Sequence, residues 1–158
     1  LIELMVVVAL LGILGYGIVK FFTNTFRIWW QESQQIDAQQ KARAAMDEMT
    51  KFMRQASPVT GIAVGQQTGE ALNTMITFTH INGSQISYYK SGKSLKRVVD
   101  GTTTDLIPED LTSIYFILDS TSSPTQVDIS TFTVETPVTG GERGSITFAR
   151  KRIFLRNR

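Results

Sequence analysis

Few side chains in this chain are equipped for chemistry, and Glu3 is the most unusual of them. It lies in a run, residues 1–22, that is otherwise apolar except for Tyr16 and Lys20. A carboxylate inside such a segment is expensive and marks a function that supplies it with a partner, so Glu3 expects a positive charge nearby. His80 is the sole histidine, and a catalytic triad containing histidine would have to be built around it. It falls in a predicted strand, where a lone histidine is far more often a surface or packed residue than a general base. No G-x-S-x-G turn or phosphate loop is present. The chain has no cysteine, which removes disulfides, thiol nucleophiles and thiolate metal ligands. Glu109 and Asp110, with Asp105 nearby, offer oxygens of the kind Ca²⁺ takes, but the ordered spacing of a calcium loop is missing. Solvated loop acids, with Asp110 opening a turn, are the favoured reading. The expectation is therefore no catalytic residue, no metal and no cofactor: the chain is not an enzyme.

The charge balance is 16 basic against 14 acidic side chains, a net +2, too small for a general nucleic-acid binder. Yet Arg143, Arg150, Lys151, Arg152, Arg156 and Arg158 crowd the C-terminal end. In an extended strand Arg150, Arg152, Phe154 and Arg156 point one way, and Lys151, Ile153 and Leu155 the other. The simplest reading is a strand with a basic solvent face. The next is attraction to an acidic patch on a neighbouring subunit, and the third is contact with nucleic-acid phosphates. Asn82-Gly83-Ser84 is also a formal glycosylation sequon, a match common by chance.

The elements that must position these residues begin with the apolar run itself. As a helix, residues 1–22 reach roughly 33 Å, enough to cross a bilayer core. The run has no basic front and no small-residue cleavage site behind it, so it reads as a retained anchor on a processed chain rather than a signal peptide. Residues 23–56 contain neither Pro nor Gly. Ala42, Ala45, Met46, Met49, Phe52, Met53 and Ala56 recur at helical spacing, which predicts one buried face. Asp37–Lys41 and Asp47–Lys51 each place an acid four residues before a base, the favourable order on an exposed face. Pro58 predicts the end of the helix. A continuous helix over residues 1–56 would be roughly 84 Å long, so its front half must project from any domain this chain can build. Lys20, Phe21, Phe22, Phe26, Arg27, Trp29 and Trp30 lie where it would leave a membrane, as an interfacial anchor does. Packing on the chain's own head is at least as strong an expectation for Trp29 and Trp30, and the two uses can alternate, lipid before assembly and subunit contact afterwards. Gly12, Gly15 and Gly17 interrupt the apolar run at about 1 kcal/mol of helix propensity each. They fit either close helix packing or local unwinding.

The residues LIELMVVVALLGIL resemble the N terminus of class III signal proteins, the type IV pilins and the pseudopilins of type II secretion. Members of those families mature to a Phe-Thr-LIEL start with a methylated N-terminal amine. This chain begins at the Leu, so the two preceding residues either are unrecorded or are processed differently. The helix-breaking Pro that the family often carries is absent over residues 1–57. The resemblance implies that Glu3, with Leu1 beside it, pairs with the N-terminal amine of a neighbouring subunit. It also implies that the apolar half-helices bundle in a filament core.

From residue 59 the composition shifts to Thr, Ser, Gly and β-branched types. Strands are predicted near 59–64, 75–80, 85–91, 95–100, 111–118, 127–135 and 145–155. Asn82-Gly83 is expected to supply positive φ angles for a tight hairpin turn, and STSSPT and TGGERG read as loops. One sheet packed on the Met-rich helix face makes an α+β fold with a pilin-like head. Residues 1–27 form the transmembrane or filament-core helix, and 28–158 the head with the second half of the helix. ARAAMDEMTKFMRQAS, ISYYKSGKSLKRVVDG, LTSIYFILD and RIFLRN are similar, in order, to the J-type minor pseudopilins and W-type minor pilins. The implied role is a structural subunit of a type IV pilus or type II secretion pseudopilus, or alternatively a minor tip subunit that primes assembly or binds a surface, DNA or secreted cargo. The implied partners are copies of itself and other pilins, prepilin peptidase, the inner-membrane assembly machinery with its ATPase, and the membrane before assembly. The implied location is a single-pass inner-membrane protein with a periplasmic head, later an extracellular or periplasmic filament.

Overall fold

The computed structural model describes residues 1–57, 61–120, 124–137 and 143–155. Pro58, the start of the 59–64 strand, half of STSSPT, most of TGGERG, and Arg156 and Arg158 lie outside the described residues.

One helix, α1, spans Ile2–Arg54 without a break. Its threonines do not interrupt it, because their hydroxyls bond back to carbonyls one turn earlier: Thr23 to Lys20, Thr25 to Phe21 and Thr50 to Met46. The helix stops at Gln55, with φ −99° and ψ 15°. There the chain is captured by a sheet. The Ser57 N–H donates to the Thr79 carbonyl at 2.7 Å, the Ile81 N–H donates to the Gln55 carbonyl at 3.0 Å, and Ala56 bridges His80.

Among the described residues the head has nine strands in two antiparallel sheets rather than one sheet. The first is a meander of β1 (Ile62–Gly65), β2 (Met75–Thr79), β3 (Gln85–Ser91), β4 (Ser94–Val99) and β5 (Thr102–Ile107). The second holds β6 (Leu111–Leu118), β7 (Gln126–Pro137), β8 (Arg143–Phe148) and β9 (Lys151–Phe154), with β8 and β9 both paired to β7.

Three details differ from the sequence expectation. Strand β5 was not foreseen, because Thr102, Thr103, Thr104 and Asp105 are polar and exposed at a sheet edge. It is joined to β4 through Asp100 (φ 48°) and Gly101 (φ 88°), the pair of positive φ angles a two-residue hairpin needs. The single strand expected over 145–155 is two strands, interrupted at Ala149 and Arg150. The interruption lies opposite the place where β7 slips register against β6, between the Tyr115↔Thr131 and Phe116↔Ile129 pairs. In the β2–β3 hairpin only Gly83, not Asn82, has positive φ (92°). Gly83 N–H donates to the His80 carbonyl and His80 N–H to the Ser84 carbonyl, a three-residue loop with glycine at the bulge.

The core lies between the two sheets and the second half of α1. Ala42, Ala45, Met46, Met49 and Met53 enter it with Ile76, Phe78, Ile86, Leu95, Ile114, Phe116 and Phe132. Phe52 is half-buried at its margin. Consecutive acids on the helix tie it to both sheets: Glu48 accepts from Arg97 Nη1 of β4 at 2.6 Å, and Asp47 from Lys151 Nζ of β9 at 2.9 Å. Asp47 thus serves the head rather than the i,i+4 pair with Lys51, whereas Asp37–Lys41 forms as spaced, at 2.6 Å.

Candidate functional site

The largest exposed apolar surface is the front of α1. The first helix residue buried by the head is Ala38. Ahead of it every residue is exposed except the half-covered Gln31. This front contains a stretch long and apolar enough to cross a membrane, none of it buried inside the chain. Monomeric soluble proteins seldom leave such a surface bare, so it requires lipid or protein around it.

Glu3 lies in the first turn, where the positive end of the helix dipole favours a carboxylate. Leu1 beside it is fully exposed. Among the described residues no cation pairs with Glu3, which is exposed. Gly12, Gly15 and Gly17 sit in unbroken helix, and a Cβ at any of them would meet nothing within 4 Å. Nothing among the described residues therefore demands glycine at these places.

The aromatic segment is exposed as well. Phe22 stacks on Phe26 at 6.4 Å and meets Phe21 edge-on at 6.0 Å, while Trp29 and Trp30 meet edge-on at 6.2 Å. Lys20 lies over the Tyr16 ring at 5.9 Å. Arg27 has no ion pair among the described residues. Trp29 and Trp30 are each 60% exposed, so the expectation that they pack on the head is corrected. The physical reason is reach: the head begins at Ala38, more than a full turn further along.

The C-terminal basic group is partly consumed by structure. Asp128, buried in β7, receives Arg150 Nη2 and, at 3.4 Å, Arg152 Nε. Both guanidinium side chains remain 54% exposed, while Ile153 between them and Phe154 points into the core. Lys51, Arg54 and Lys151 line a cleft of about 730 Å³ with Gln55 and Phe154, at the C-terminal end of α1. Lys51 and Arg54 there also complement the negative end of the helix dipole.

The remaining candidates are structural. The His80 ring bridges Asn82 Oδ1 and Gln55 Oε1, each at 2.7 Å, and meets Phe52 edge-on, so it staples the hairpin to the end of α1. Asp105 faces Lys96 at 3.6 Å, and among the described residues no three His, Cys, Asp or Glu side chains gather as a metal site. Two clusters had no clear sequence signal. Glu70 accepts from Lys90 Nζ and the Gly92 N–H, each at 2.6 Å, and the Lys90 bond holds its carboxyl below the usual range. Tyr88 is fully buried against Phe78, and burial, then the nearby Glu48 carboxylate, pushes its hydroxyl well above the usual tyrosine range. That hydroxyl and Arg97 Nε, on directly paired residues, are buried without a hydrogen-bond partner among the described residues.

Compared with family models, with curated proteins and with solved structures, the chain matches none.

Proposed function

We propose that this chain is a structural subunit of a filament of the type IV pilus or type II secretion pseudopilus kind, polymerising through α1. It waits in a membrane with its head outside the cytoplasm, and is then extracted into an assembly in which other copies cover the apolar front of the helix. It performs no chemistry of its own. The observation that carries this reading is the division of α1: residues from Ala38 onward are bound into the head core, while the apolar residues before it are left uncovered by their own chain. Glu3 adds the second support, as a carboxylate at the tip of that uncovered segment with no cation of its own among the described residues. A buried charge without a partner is strongly unfavourable, whereas a paired one is tolerated. Pairing with the N-terminal amine of a neighbour would satisfy Glu3 and fix axial register, since a slip of one turn separates both charges. Replacement Glu3→Leu is expected to leave membrane insertion intact and reduce filament yield at least tenfold, read by comparing membrane and sheared-filament fractions. Filament yield equal to the parent chain would overturn this role. Recovery along filament shafts supports the structural subunit, and recovery only at filament ends supports the tip or priming role.

A further inference from the structure

Two charged features of the head make no ion pair among the described residues. The first is the cleft at the C-terminal end of α1, where Lys51, Arg54 and Lys151 meet one carboxylate, Asp47. Asp47 is taken by Lys151 Nζ, so the cleft keeps the charges of Lys51 and Arg54. The helix end does not use these two as caps. The Phe52 and Met53 carbonyls accept from the Gln55 and Ala56 N–H groups, and the Gln55 carbonyl accepts from Ile81. The helix dipole places about half a negative charge here, less than the two cations present. The second feature is the loop between β5 and β6, Pro108-Glu109-Asp110. Of the two adjacent acid pairs in the chain, Asp47-Glu48 is bonded within the head and Glu109-Asp110 is not. Glu109 is exposed, with φ 61°. Asp110 lies beside Lys41, whose pKa is raised first by its bond to Asp37 and further by the Asp110 carboxylate. Lys93, whose carbonyl accepts from the Leu111 N–H, holds its ammonium on Glu135.

The loop and the cleft cannot meet within one copy. Lys41 and Arg54 are about 20 Å apart along the axis of one unbroken helix. The two features also lie on different sides of it. Glu48 reaches β4 of the first sheet, whose edge strand β5 leads into the acid loop. Asp47, about 100° round the helix, reaches β9 of the second sheet at the cleft. A contact from the loop of one copy to the cleft of another is therefore heterologous: it leaves a free loop at one end and a free cleft at the other, and it propagates instead of closing as a dimer. Two other occupants fit less well. The cleft lies about 45 Å along α1 beyond residue 22, out of reach of lipid around the membrane-length stretch. A phosphate chain would want a continuous basic track, but Arg150 and Arg152 alternate with Lys151 along the strand and are held on Asp128. Exposed ion pairs are individually weak, so the contact sets the relative height of copies that α1 gathers; it does not gather them itself.

We propose that the Glu109-Asp110 loop of one copy seats in the cleft of Lys51 and Arg54 on another copy displaced about 20 Å outward along α1. This rests on the filament reading above and names the head surfaces that meet. Because the chain has no cysteine, an introduced pair reports the contact. Pro108→Cys and Phe154→Cys stand beside the charges, leave them in place, and replace exposed residues. The full-length double variant would be oxidised in membranes and in sheared filaments, and its covalent products sized. The expected result is a ladder of trimers and longer chains from filaments. Membranes, where copies stand level, should give at least tenfold less. Each single variant should stop at dimers. Adding Arg54→Glu should cut the ladder at least tenfold, and adding Glu109→Arg to that chain should restore most of it, which guards against a simple folding defect. Filaments that give nothing beyond dimers, a ladder unchanged by Arg54→Glu, no recovery with Glu109→Arg, or an equal ladder from membranes overturns the contact and leaves the filament reading standing. A chain that forms neither filaments nor a ladder overturns both.

Discussion

At the scale of single residues, the head's buried polar groups set its response to pH. Glu70 has its folded-state pKa lowered, first by the Lys90 bond and then by the Gly92 N–H. A depressed carboxyl contributes stability above its unfolded pKa and loses it as pH falls through the folded value. Acid titration of unfolding in urea should therefore show stability falling below the usual carboxylate range, and Glu70→Gln should flatten that part of the curve. An unchanged curve in the variant would remove Glu70 as a source. Tyr88 behaves oppositely. Its raised pKa keeps the hydroxyl neutral in the fold, so its contribution is present below the ordinary tyrosine pKa and lost as pH rises towards the folded value. Its hydroxyl makes no hydrogen bond of good geometry among the described residues, although the Arg97 guanidinium lies near enough to oppose the upward shift, so Tyr88→Phe should change stability by no more than about 1 kcal/mol at neutral pH. Thermal unfolding of the two chains measures this, and a loss above about 1 kcal/mol would show that the hydroxyl is bonded. Little of this was legible beforehand. Glu3 stood out because its neighbours are apolar in sequence. Glu70 and Lys90, or Glu48 and Arg97, meet only through the fold, and nothing in their local spacing distinguishes them from solvated charges.

At the scale of elements, α1 is the member on which the head depends. Met49 and Met53 are fully buried between both sheets, and Asp47 and Glu48 reach one sheet each. Met49→Ala should cost about 2–5 kcal/mol, the range for emptying a buried methionine site. Denaturant unfolding measures it, and a cost below about 1 kcal/mol would mean that the sheets hold together without the helix. The helix was legible from its spacing, and β3 and β6 were legible to the residue because their alternation is strong. Strand β5 was not, because an exposed edge of Thr and Asp carries no alternation; Asp100-Gly101 was the available turn signal. The end of α1 is set by pairing of residues 55–57 with the β2–β3 hairpin, a tertiary event that sequence spacing does not encode.

At the scale of the whole molecule, the chain is a head of two sheets folded around one end of a helix whose other end is uncovered by its own subunit. The head accounts for its own packing; the helix does not. Its apolar front and its exposed aromatic residues call for surroundings that the single chain does not provide among the described residues. On the filament reading proposed above, lipid would supply them before assembly and neighbouring copies afterwards. Cryo-electron microscopy of filaments sheared from cells making this chain tests the central claim most directly. The account predicts that the chain repeats along the shaft, residues 1–22 fill the core, and Glu3 lies against the N terminus of a neighbour. Filaments whose shafts lack the chain, or cells in which it stays a dispersed membrane monomer, would contradict it.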